Sequence, residues 1–240
     1  MGSVQQRTPR PPVKPRIRGT LAPAVLPEHD VEDEAQLQRL TFTRVDMSER
    51  DATSVDVEEC EFTGTDLNGS TLAKAIFADC RFESSDLANV SASTSSLLRC
   101  SLRGLRATGL RWIDGTLRDV VFGECRMDLA QFRFTTFKNV HFVDCHLRQG
   151  DFTNADLRGV VFSGCDLTGA QFAQAKLAGA RFHHCVLDGI RSVTSLQGAI
   201  IDPTDLVSLS YAFADALGIL IESGDGSSDG RASGDGSKLR

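Results

Sequence analysis

The sequence is short of several things that would make its function easy to read. Among 240 residues there is one Trp, one Tyr and three Met, although Phe occurs 14 times. No apolar run approaches the 18 residues a membrane-spanning helix needs, and the basic start, MGSVQQRTPRPPVKPRIR, lacks the apolar stretch of a secretory leader. These absences point to a cytoplasmic chain with no membrane role. The net charge of -6 argues against a general nucleic-acid binder. The phosphate-cradling patterns GxxxxGK[ST] and GxGxxG are missing, and no Ser-His-Asp or Cys-His pairing is suggested. The five His are scattered at His29, His141, His146, His183 and His184. A chain without an enzymatic site, a small-molecule substrate, a metal or a cofactor is the expectation.

What the sequence does have is a period. From Phe42 an apolar residue recurs every fifth position, through Met47, Ala52, Val57 and Phe62 to Phe182 and Leu187, without a slip. Two positions before each stands a second, mostly small residue, such as Cys60, Thr65, Ser70, Ala75 and Cys80. A period of five matches neither the 3.6 of an α-helix nor the 2 of a flat strand. It describes a chain that turns a corner every five residues and points two side chains of each five inward. A longer period of twenty lies on top: Phe62, Phe82, Phe122, Phe142, Phe162 and Phe182 fall in one column, and its neighbour is almost all Leu or Met. Four pentapeptides therefore close one coil, and like side chains stack between coils.

The segments GDFTNADLRG (150–159), CDLTGAQFAQAKLAGARF (165–182) and TDLNGSTLAKAIFADCRF (65–82) carry the pattern openly. They resemble the pentapeptide-repeat family, whose unit is a small residue, Asp or Asn, Leu or Phe, and two polar residues. The resemblance implies an all-β solenoid, a right-handed quadrilateral β-helix, here of about 7.5 coils over 40–192 at the usual strand spacing. The seven cysteines, at Cys60, Cys80, Cys100, Cys125, Cys145, Cys165 and Cys185, all occupy the small inward position. No pair has zinc-ligand spacing, so they read as reduced, buried, hydrophobe-like thiols.

The flanks read differently. Residues 1–27, with PxxP spacing and five basic residues in the first 20, are expected to be a disordered Pro-rich arm. Residues 28–39 should cap the first coil. After the phase breaks at Ser192, residues 193–222 suggest a cap helix, with Asp202 as N-cap, Pro203 at the first helical position and Gly218 as its stop, followed by a short strand Ile219–Ile221. The tail 223–240 is low-complexity Gly, Ser and Asp, expected to be disordered.

With the inside filled by Phe and Leu, function falls to the surface. Residues 41–90 hold 11 acids and 4 bases, net -7, whereas 91–150 hold 5 acids and 9 bases, net +4. The first expectation is a non-catalytic rod that binds a macromolecule. Its sharpest form follows from resemblance to the family members that protect DNA gyrase from fluoroquinolones, which end in a helix and strand and dimerise through it. That likeness implies a DNA-mimicking, gyrase-binding homodimer. Its acidic contact surface would be Asp46, Glu49, Asp51 and Glu59. Its dimer interface would be Leu206, Leu209, Phe213, Leu217, Ile219, Leu220 and Ile221. The alternatives are a scaffold for an unknown protein partner, or a polyanion binder through a mid-rod basic stripe, Arg118, Lys138 and Arg158.

Overall fold

A computed structural model describes residues 9–220. Ten short strands stack in one parallel ladder, from Ala22–Pro23 through Leu40–Thr43, Glu61–Thr63 and onward to Arg181–His183 and Ile200–Ile201. The register is twenty residues per coil: Phe42 faces Phe62, Phe62 faces Phe82, and Phe122, Phe142, Phe162 and Phe182 follow in line. Backbone groups are satisfied from coil to coil, as in Arg44 N–H to Thr63 O at 2.8 Å and Asp66 N–H to Val45 O at 3.0 Å.

The corners explain the period. Every fifth residue from Glu34 to Gly189 has a positive φ, for example Glu59 at 53°, Gly64 at 61° and Asn139 at 56°. A left-handed residue at each corner is what reverses the chain within five residues. That conformation is least costly for Gly, Asn and Asp, which is why the corner columns are rich in them.

The ladder is longer than the 7.5 coils expected. Ala22–Pro23 pairs with Leu40–Thr41, an offset of 18, and Ile200–Ile201 pairs with Arg181–Phe182, an offset of 19. Both terminal coils are built from segments outside the repeat consensus, so residues 28–39 belong to a coil instead of lying over one. Nine steps at about 4.8 Å make a rod about 43 Å long.

The interior is solid. Phe62, Phe82, Phe122, Phe142, Phe162 and Phe182 are at most 2% exposed. Their rings stack in parallel, with centroids 4.5 Å apart for Phe62–Phe82 and 5.1 Å for Phe142–Phe162. A second stack, Phe132–Phe152–Phe172, meets the first edge-on, Phe152 lying 6.0 Å from Phe162 at 83°. The small inward position proves to be a hydrogen-bonding one. The Ser95 hydroxyl donates to Leu72 O at 2.8 Å and accepts from Ala75 N–H at 2.8 Å. The thiols donate to the equivalent carbonyls, as Cys80 does to Val57 O at 3.5 Å. All seven cysteines are free and buried, and burial pushes the Cys60 thiol up to about 11.

The C-terminal end departs from the expected cap. Asp202 accepts from Thr204 N–H and its hydroxyl in a tight turn, and does not cap a helix. Asp205, 7% exposed, turns inward and accepts from Cys185 N–H at 2.8 Å, taking the place of the next coil's inward residue. Beyond the 3-10 turn Val193–Leu196, helical structure is thereby delayed to a second 3-10 turn, Val207–Leu209, and a short helix, Ser210–Ala216. Gly218 does end it, in the left-handed conformation, with its N–H on Asp215 O. Ile219 and Leu220 form no strand, and Ile221 and the tail 223–240 lie outside the described residues.

Candidate functional site: the charged surface of the rod

The segment expected to be a disordered arm is, over 9–27, ordered along the rod. It runs down one corner column, 139–119–99–79–59, in the direction opposite to the stacking of the coils. Asn139 Nδ2 donates to Pro11 O at 3.3 Å, Val13 N–H to Asp119 at 3.1 Å, Arg16 N–H to Asp79 at 2.9 Å, and Arg18 N–H to Glu59 at 3.4 Å. The spacing is matched. Seven residues at the polyproline rise span about 22 Å, and the four coils they cross span about 19 Å. Pro12 and Pro15, which have no N–H to offer, fall between the tethered residues. Residues 1–8 lie outside the described residues.

Each tethering carboxylate is also held by the rod. Asp79 takes Arg99 in a two-pronged pair at 2.8 and 2.6 Å, and Glu59 takes Arg39 at 2.8 Å. Burial works to raise the Asp79 carboxyl, but Arg99 and the Arg16 N–H outweigh it and hold it below the usual carboxylate range.

This placement divides the four expected acidic contacts. Asp46, Glu49 and Asp51 surround one corner, that of Glu49. Glu59 sits two corners on, diagonally across the rod, and is occupied by Arg39 and the arm. The acidic surface must be drawn without it. Around the Glu49 corner a ladder of bridges runs Asp46, Asp66, Asp86, Arg106, Arg126, His146, Asp166, Val186. Asp46 and Asp66, which make no ion pair among the described residues, are followed by Asp86, which Arg106 neutralises at 2.7 Å. The Asp46 carboxyl is held below its ordinary value by Ser48, whose N–H and hydroxyl both bond it. Asp66 and Asp86 were visible in the sequence as repeat consensus and not as surface.

The basic stripe is also uneven. Arg118 and Lys138 are register partners and exposed. Arg158, in line with them, is held by Asp156 two residues earlier, and this guanidinium lowers the Asp156 carboxyl.

At the C-terminal end the seven residues expected to form an interface separate. Leu209 is fully buried within the chain and so not free for a partner, and Phe213 is half-buried against the core. Leu206, Leu217, Ile219 and Leu220 are exposed, together with Val207 and Tyr211, which fall outside the helical spacing of the expected interface. Mid-rod, Leu129 and Phe134 are exposed at adjacent corners with φ of 61° and 58°. A bulky side chain in that conformation is strained. Phe134→Asn should relieve it and raise stability by about 1 kcal/mol, read as a higher urea midpoint. A lower midpoint would mean that the ring is held by contacts outweighing the strain.

Among the described residues no group of three His, Cys, Asp or Glu is placed to hold a metal ion, and no helix is long and apolar enough to cross a membrane. His141 is half-buried, and burial lowers its pKa.

Residues 115–191 match the family model described as a pentapeptide repeat region. No curated protein sequence matches the chain significantly. Among solved structures, a trypsin-treated form of QnrB1, a plasmid-mediated fluoroquinolone resistance protein, is 21% identical, covering 85% of this chain and all of that one, with a TM-score of 0.37. HetL, a pentapeptide repeat protein involved in heterocyst differentiation regulation in Nostoc sp. strain PCC 7120, is 18% identical over 70% of this chain and 90% of its own, with a TM-score of 0.30. Rfr23 from Cyanothece 51142 is 11% identical over 65% and 90%, with a TM-score of 0.18.

Proposed function

We propose that this pentapeptide-repeat rod is a non-catalytic, macromolecule-binding protein whose partner is DNA gyrase, engaged as a mimic of DNA. The observation that carries the reading is the solid, Phe-stacked interior beside a regularly charged exterior: recognition then falls to the surface. The contact surface is the Glu49 corner, where Asp46, Glu49 and Asp51 cluster and Asp66 repeats the Asp46 carboxylate one coil on, as a duplex presents phosphates along its axis. Two rods join through Leu206, Leu217, Ile219 and Leu220, an apolar patch at one end that the chain's own packing leaves exposed.

A supercoiling assay on purified gyrase tests it, with and without a fluoroquinolone. Stoichiometric rod should inhibit supercoiling or protect the enzyme from the drug. Leu217→Glu with Leu220→Glu should halve the sedimenting mass and weaken the effect, since these exposed positions are not needed for folding. No change in supercoiling or drug sensitivity at stoichiometric rod would remove gyrase as the partner.

A further inference from the structure

The docked arm changes what the middle of the rod offers to a partner. Along the rod, most arginines are neutralised by a carboxylate close by in the ladder, as in Arg39–Glu59, Arg81–Glu61, Arg99–Asp79, Arg106–Asp86 and Arg148–Asp166. The cations of the arm are not. Its Val13, Pro15 and Ile17 are half-buried against the rod, while Arg10, Lys14, Arg16 and Arg18 project into solvent. Among the described residues none of these four side chains makes an ion pair. Arg16 acts on Asp79 only from beyond contact distance.

Beside the arm lie Arg118 and Lys138, each one residue before a corner residue that tethers it, Asp119 and Asn139. These two are also exposed and unpaired among the described residues. The three strands under this part of the arm, Ser96–Arg103, Thr116–Gly123 and Thr136–Val143, contain a single acid, Asp119. That acid is turned to the arm, accepting from Val13 N–H and Asn139 Nδ2. The arm thus spends the local negative charge on its backbone N–H groups and leaves its own cations free.

We infer that the docked arm and the Arg118–Lys138 pair form one basic ridge that binds the phosphate backbone of duplex DNA without reading its sequence. The ridge follows the rod axis for about 25 Å at the polyproline rise, a length over which a duplex carries about 15 phosphate charges. Its cations stand on a segment pinned at four points, so little ordering is required on binding. The acidic Glu49 corner faces diagonally away and does not interrupt it. This goes beyond the gyrase reading and does not depend on it.

The test is fluorescence anisotropy of a labelled duplex titrated with the full chain, with no gyrase present. Binding is expected at about 50 mM salt and should fall about a thousand-fold by 200 mM, for about six phosphates neutralised. Arg118→Glu with Lys138→Glu should weaken it at least about ten-fold and flatten the salt dependence. Arg111→Glu, a charge reversal beside the corner diagonally opposite the arm, should leave it within about two-fold. A single strand of the same length should show a shallower salt dependence. No binding at low salt overturns the proposal, as does equal weakening by Arg111→Glu. Because both sites are exposed, unchanged thermal melts separate loss of binding from loss of fold.

Discussion

Replacing Phe142 with aspartate is expected to unfold the rod. Phe142 is fully buried, stacked between Phe122 at 4.9 Å and Phe162 at 5.1 Å, and met at an angle by Phe132 and Phe137. Removing a buried ring costs about 3–5 kcal/mol by itself. The aspartate adds a carboxylate with no cation or donor in reach, and an unpaired buried charge is costlier still. The sum is comparable to the whole stability of a domain. A solenoid coil contacts only its neighbours, so a break at Phe142 separates the coils before it from those after it. Loss of the far-UV signal and of the cooperative melt is the expected result. A melt within a few degrees of wild type would show that the Phe column does not hold the rod together.

Asp79→Ala is expected to release the arm and destabilise the central coils without unfolding the protein. The side chain of Asp79 is 7% exposed and joins two systems, the paired Arg99 guanidinium and the Arg16 N–H. Alanine leaves Arg99 half-buried without its partner, a loss of about 3 kcal/mol. The arm would lose the central tether of the three carboxylates that hold it. Its backbone should then exchange hydrogen readily over 11–18, and trypsin should cut after Arg16 and Arg18 much faster than in wild type. The same carboxylate sets an acid response. Its folded pKa lies below the ordinary value, so its stabilisation is fully present above the unfolded carboxylate range. That stabilisation is lost as pH falls through the lower folded value. Protection of the arm amides, taken relative to the intrinsic exchange rate at each pH, should therefore fall with acidification in wild type and change little in Asp79→Ala. An arm equally protected in both proteins would mean that the carboxylate tethers are not what hold it.

The interior was legible in the sequence because each inward column selects by size, and the five-residue phase states which residues share a column. Phe62 above Phe42 and Cys80 above Cys60 follow from counting alone. The arm was not legible in this way. PRPPVKPRIR has the composition of a solvated tail, and it is ordered by carboxylates 40 to more than 100 residues away, accepting from its backbone N–H groups. No side-chain pattern within the arm names those partners. Glu59 is a different case. Four corners make a coil, so residues 49 and 59 must lie diagonally, and charge counted along the chain conceals what the corner count reveals. At the C-terminal end the helical pattern from Leu206 was real. One carboxylate, Asp205, found a better use on Cys185 N–H, and the helix shortened as Leu209 was drawn into the core.

Sedimentation of the rod with purified gyrase tests the central claim most directly. Wild-type rod should co-sediment with the enzyme at stoichiometric ratio. Asp46→Asn with Asp66→Asn should lose that complex while melting as wild type does, because both side chains lie outside the core. A complex of equal strength with the double variant would place recognition away from the Glu49 corner, and no complex with wild type would contradict the account outright.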